Sequence, residues 1–134
     1  MKKLNLLLPI MFFLPTIGNA QDKLYSNEFH ISEVTLLDGP LKDARDLNIE
    51  TLLQYDCDRL LAPYRKEAGL QPKAPTYPNW DGLDGHVAGH YLTAMAMNVA
   101  TGNEECRRRM EYMIAELQEC ADANVKNNPE WGKG

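Results

Sequence analysis

The chain has 134 residues, a formal net charge of −5 and a sequence pI of about 5.1. An acidic chain of this kind is a poor match for nucleic acid, whose phosphates require a basic face. Hydrophobic residues at 44 % and charged residues at 25 % are ordinary globular proportions, and three cysteines without CxxC spacing make neither a disulfide framework nor a zinc finger.

Lys2 and Lys3 precede an apolar run, Leu4 to Ile17, broken by Pro9 and Pro15, and Gly18-Asn19-Ala20 follows. This is the pattern of a cleaved secretory leader, residues 1–20, and it is too short and too broken to span a membrane. Export to the periplasm or the cell exterior is the expectation, with no membrane partner after cleavage. Removal of Lys2 and Lys3 with the leader takes the net charge of the mature region, 21–134, to −7.

Phe29, Ile31 and Val34 favour extended backbone, and a short strand is expected over Val34 to Leu37. His30 reads as a surface residue. Asp38-Gly39-Pro40 then starts a helix, with Asp38 as its cap and Pro40 at the first helical position. Leu41, Ala44, Leu47 or Asn48, Thr51 or Leu52, and Tyr55 fall at three-to-four spacing along it, and it ends near Cys57. Asp58 is placed to cap a second, shorter helix, which Pro63 limits before Gly69. Arg59, set among Tyr55, Leu60 and Leu61, reads either as an ion pair with Asp56 or Asp58 or as a substrate contact. Pro72, Pro75 and Pro78 keep residues 71–79 in a loop.

That loop leads through Trp80, Asp81 and Asp84 into Gly85-His86-Val87-Ala88-Gly89-His90-Tyr91 and an Ala- and Met-rich helix to Ala100. Apolar on most faces, the helix is expected to be buried between neighbours. His86 and His90, four residues apart, share one face, and Gly85 and Gly89 leave room there for a close approach. Gly102 stops the helix and Asn103 caps the next one. Cys106, Met110, Met113, Leu117, Cys120 and Asn124, widened by Ile114 and Ala121, predict one amphipathic helix over 104–124, antiparallel to its predecessor. Arg107 to Arg109 read as its solvated side. Cys106 and Cys120 lie about 21 Å apart along it and cannot pair; all three cysteines read as buried thiols. Residues 126–134 form a polar tail with Trp131 as its one apolar anchor. Helices this apolar need more neighbours than 21–134 supplies, so this region reads as the front of a longer fold or as an oligomer.

Three chemistries fit the histidine pair. A helical zinc-protease pattern requires Glu after the first histidine, where Val87 stands, so no metal ligands are assigned. A structural pair, bonded to backbone between packed helices, is the second. The third is a sugar-binding wall, in which Trp80 or Tyr77 covers an apolar ring face while Asp81, Asp84 and neutral imidazoles bond hydroxyls. Asp81 and Asp84 are carboxylates of the right type for glycoside hydrolysis, but three residues in a loop define no separation. Spacing alone supports the structural and sugar-binding readings equally.

The stretches LLDGPLKDARDLNIETLLQYDCDRLLAPYRKEAGL and NWDGLDGHVAGHYLTAMA resemble the amino-terminal region of bacterial β-L-arabinofuranosidase-like glycoside hydrolases, family 127 and its relatives in family 146. The resemblance covers nearly all of 33–134. It implies an all-α, partial (α/α)6 toroid built of helical hairpins, the opening strand belonging to an accompanying β-sandwich. It implies action on L-arabinofuranoside-containing plant glycans, with His86, His90, Trp80 and Asp81 in the wall of the sugar pocket. Relatives usually carry Glu where Asp81 stands, a longer reach by one methylene, and many carry Ser at Thr93. Their cysteine nucleophile, their glutamate acid/base and the cysteines and glutamate that hold zinc lie beyond the matched region. Cys57, Cys106 and Cys120 do not match those motifs. The chain thus reads as the truncated first part of such a hydrolase, completed by further helices of the same fold and inactive alone; any zinc would belong to the full-length protein. A non-catalytic sugar-binding module and a non-functional remnant are the alternatives.

Overall fold

The computed structural model describes residues 28–79 and 83–131. The leader at 1–20, the loop residues Trp80 and Asp81, and the last residues of the tail lie outside the described residues. Four α-helices follow one another: α1 (Pro40–Leu53), α2 (Cys57–Glu67), α3 (Asp84–Ala100) and α4 (Glu104–Asn127). The architecture is all-α, consistent with a partial (α/α)6 toroid. Single 3₁₀ turns at Ile31–Glu33 and Pro129–Trp131 flank the helices.

The expected strand does not form among the described residues. Ile31–Glu33 is a 3₁₀ turn closed by a capping box: His30 Nδ1 accepts from the Ser32 N–H, and Glu33 accepts the His30 N–H at 2.9 Å. Val34 is extended, but no second strand stands among the described residues to supply its ladder bonds, and an isolated extended segment is not a sheet. The turn lies against α3.

Local signals set most helix ends. Pro40 occupies the first position of α1, but its cap is Gly39, at φ 142°, and not Asp38. Asp56, and not Asp58, caps α2, accepting the Asp58 N–H at 2.8 Å. Pro63 lies inside α2 and does not end it. It removes one ladder bond, while burial of Leu60, Leu61 and Ala62 holds the helix together around it. The true stop is Gly69, at φ 72°: the Gly69 N–H reaches the Lys66 carbonyl at 3.0 Å and the Leu70 N–H reaches that of Arg65 at 2.7 Å. Helix α3 ends the same way at Gly102, φ 89°, with bonds from Gly102 to Val99 and from Asn103 to Asn98. Asn103 then caps α4, accepting the Cys106 N–H at 2.9 Å, as its position predicts.

The core forms where α2, α3 and α4 meet. Leu60 and Leu61 of α2, Ala88, Tyr91 and Met95 of α3, and Cys106 and Met113 of α4 are buried in one cluster with Cys57. Cys120 is buried as well, and all three thiols are free. Burial pushes each thiol above its ordinary range, so they are neutral apolar groups. Ile114, expected on the α4 stripe, is exposed. Helix α1 reaches this core only with its last turns, through Ile49, Leu52 and Leu53, whereas Leu41 is 74 % exposed.

Helix α3 is not buried all round, contrary to the expectation from its composition. Ala88, Tyr91, Met95 and Asn98 face α2 and α4; Gly89, His90, Thr93, Ala96 and Met97 are exposed. Two neighbours cover only the sides of a helix that they touch.

Polar groups tie the bundle together. Arg109 does not join the solvated side with Arg107 and Arg108, which pair with Glu104 and Glu105. Its guanidinium turns inward, donating to the Tyr55 carbonyl at 2.7 Å and to the Tyr91 hydroxyl at 3.3 Å. Tyr91 in turn donates to the Leu52 carbonyl at 3.2 Å, so α1, α3 and α4 share one junction. Two turns further along α4, Arg65 donates to Glu116 at 2.7 Å, to Glu119 at 2.8 Å and to the Gln71 carbonyl at 2.9 Å. The Arg65 hydrogen bond holds the Glu119 carboxyl below its ordinary range.

Two predictions test this packing. Met95 is fully buried and Met97, two residues on, is 55 % exposed. Met95→Ala should cost about 2–5 kcal/mol and Met97→Ala within about 0.5 kcal/mol, read from urea midpoints. Burial, partly offset by Arg109, pushes the Tyr91 phenol from 10.0 up to about 12. Between those values the unfolded chain has lost a proton that the folded one keeps, so stability falls as pH rises through that window. Tyr91→Phe removes this contribution, and its stability-against-pH slope should be shallower than the parent's from pH 10 to 12 by chemical denaturation.

Candidate functional site

The histidine face is built from the start of α3. Tyr64 of α2 donates its hydroxyl to the Gly85 carbonyl at 2.9 Å and so anchors that first turn. A methyl group at Gly85 would meet the same hydroxyl at 3.3 Å, so the close approach expected there is made by Tyr64. At Gly89 nothing lies within 4 Å of where a Cβ would stand, and that position is open.

Helical geometry separates the two faces of α3. At about 100° per residue, His86, His90, Thr93 and Met97 cluster on a stripe about 160° around from Ala88, Tyr91 and Met95. Burying the second set therefore turns the first outward. His86 and His90 are both exposed. Their rings meet edge to face, centroids 4.3 Å apart at 89°, and the two Nε2 atoms stand 3.0 Å apart. At that distance one ring donates its Nε2–H and the other accepts. Thr93, one turn on, spends its hydroxyl on the Gly89 carbonyl at 3.0 Å. The structural alternative, imidazoles bonded to backbone between packed helices, is not what is found: the bond runs between the two rings.

The other members of the expected wall are distributed differently. Trp80 and Asp81 lie outside the described residues. Asp84 is the first residue of α3 and not part of the loop. Tyr77 belongs to the corner between α1 and α2, where its ring packs against Tyr55 at 5.9 Å and its hydroxyl accepts the Asp56 N–H at 2.7 Å. Among the described residues Arg59 does not form the ion pair with Asp56 or Asp58 considered for it. Its guanidinium stacks on Tyr77, 4.0 Å from the ring centroid, and donates to the Pro75 and Thr76 carbonyls at 3.2 and 3.1 Å. Cation and ring together clamp the proline-rich loop that leads to the histidines. A cleft of about 220 Å³ lined by Thr51, Gln54, Tyr55 and Tyr77 adjoins this corner, and the histidine pair is not in its lining.

The residues that set the site in place were not marked by spacing. Tyr64, Tyr91 and Arg109 act across gaps of 18 to 54 positions, between helices whose contacts only the fold defines. Among the described residues no three His, Cys, Asp or Glu side chains gather as metal ligands, so a zinc ion held by cysteines and a glutamate does not fit the described residues. Among them too, no helix is long and apolar enough to cross a membrane.

Comparison with known proteins gives one family. The model of the β-L-arabinofuranosidase GH127 catalytic domain matches residues 33–127. No curated protein matches. The matched segment takes in all four helices, the loop between α2 and α3, and the histidine face. The chain belongs to the GH127 β-L-arabinofuranosidase-like family of glycoside hydrolases.

Proposed function

We propose that this chain supplies part of the sugar-pocket wall of an exported hydrolase acting on L-arabinofuranosides of plant glycans. The observation that carries the reading is the outward stripe of α3. Two imidazoles, a threonine and two small residues line an exposed helix face within a GH127 segment. Neutral imidazole offers one donor and one acceptor, which suits the paired hydroxyl edges of a furanose. Gly89 lets a ring approach the backbone without meeting a side chain. Trp80 and Asp81, immediately before α3, supply an apolar platform and a carboxylate acceptor in this reading. Binding and bond cleavage are separate tasks. The three thiols of the chain are buried, and burial raises them above their ordinary range, which makes them poor nucleophiles; in this reading the cleaving groups lie elsewhere in the hydrolase.

Titration with methyl β-L-arabinofuranoside, followed by the ring C–H signals of the histidines in NMR spectra, tests the proposal. His86 and His90 should shift saturably at millimolar sugar while His30 stays still, and His86→Ala should abolish the response of His90. Histidine signals unmoved throughout the titration would remove the wall assignment.

A further inference from the structure

We infer that His86 and His90 form a two-nitrogen chelate for a late first-row divalent cation, Cu(II) or Ni(II), on the open face of α3. The inference stands apart from the sugar reading, because it needs only the two rings. Helical i, i+4 spacing brings the side chains together, and here the two Nε2 atoms converge to 3.0 Å with both rings exposed. Metal–imidazole bonds of about 2.1 Å to nitrogens at that separation close an angle of about 90° at the metal. That is the angle between adjacent ligands in square-planar and octahedral complexes, the geometries of Cu(II) and Ni(II). Tetrahedral zinc needs the nitrogens about 3.4 Å apart and is the poorer match.

The missing glutamate at Val87 removes the zinc-protease pattern but not this chelation, since a two-ligand site leaves its remaining positions to water. Among the described residues, the one hydrogen bond of these rings that must break is the one between them. The ring that donates its Nε2–H takes the Nδ1–H tautomer instead, and rotation of the two exposed rings by about 45° turns both Nε2 lone pairs from each other to the metal. Among the described residues, the other imidazole and the thiols are placed otherwise. His30 is engaged with the Ser32 hydroxyl at 2.6 Å and the Ser32 N–H, and the three thiols are buried.

The experiment uses the full chain without an affinity tag and without sugar. NiCl2 and CuCl2 are titrated by calorimetry, and the Cu(II) sample is examined by electron paramagnetic resonance. One ion per chain should bind saturably, with splitting from two imidazole nitrogens. His30→Ala should leave this unchanged. His86→Gln and His90→Gln, which keep size and polarity at exposed helical positions, should each lose the one-to-one break and one nitrogen from the spectrum, with helix content unchanged by circular dichroism. The chelate is overturned by the absence of saturable binding up to about 1 mM ion, or by binding that persists when both histidines are replaced.

Discussion

The packing of one narrow stripe of α3 governs everything else in this chain. Ala88, Tyr91 and Met95 enter the space between α2 and α4, where Leu61, Cys106 and Met113 close around them. A small residue, an aromatic and an unbranched apolar chain fill that space, and Ala88 and Met95 reach zero exposure. A helix is rigid, so burying this stripe also determines its rotation. His86 and His90 face outward as a consequence, and no contact of their own is needed to hold them there.

The polar junction at Tyr91 supplies what apolar packing cannot, namely a unique register. Apolar side chains tolerate sliding past one another, whereas a hydroxyl that must meet both a guanidinium and a carbonyl does not. Arg109, Tyr91 and the carbonyls of Leu52 and Tyr55 therefore pin α1, α3 and α4 at one point. Arg65 performs the same task between α2, α4 and the following loop. Each guanidinium is satisfied by several oxygens, which makes its partial burial tolerable.

The proline-rich loop and the histidine face are linked through these anchors. Arg59 and Tyr77 hold the middle of the loop against the α1–α2 corner, and Tyr64 holds the first turn of α3 against α2. Loop and helix are thus positioned independently on either side of Trp80 and Asp81. The whole arrangement lies within the segment that the GH127 catalytic-domain model matches.

Helix identity, several boundaries and the shared face of the histidines were legible in the sequence, because they depend on neighbours within one or two turns. Gly69 and Gly102 supply left-handed backbone wherever they stand, Asn103 caps whatever helix follows it, and residues four apart on a helix meet regardless of surroundings. The same local logic misled at Asp38 and Asp58, where the cap fell to Gly39 and Asp56, and at Pro63, which packing carried through the helix. The expected strand failed because a strand is defined by a partner, and none stands beside Val34 among the described residues. Which side of α3 is buried, where Arg109 turns and what Arg59 clamps were decided by tertiary structure alone. Those outcomes depend on atoms brought together from distant parts of the chain, and sequence periodicity carries no record of which helix will stand opposite which.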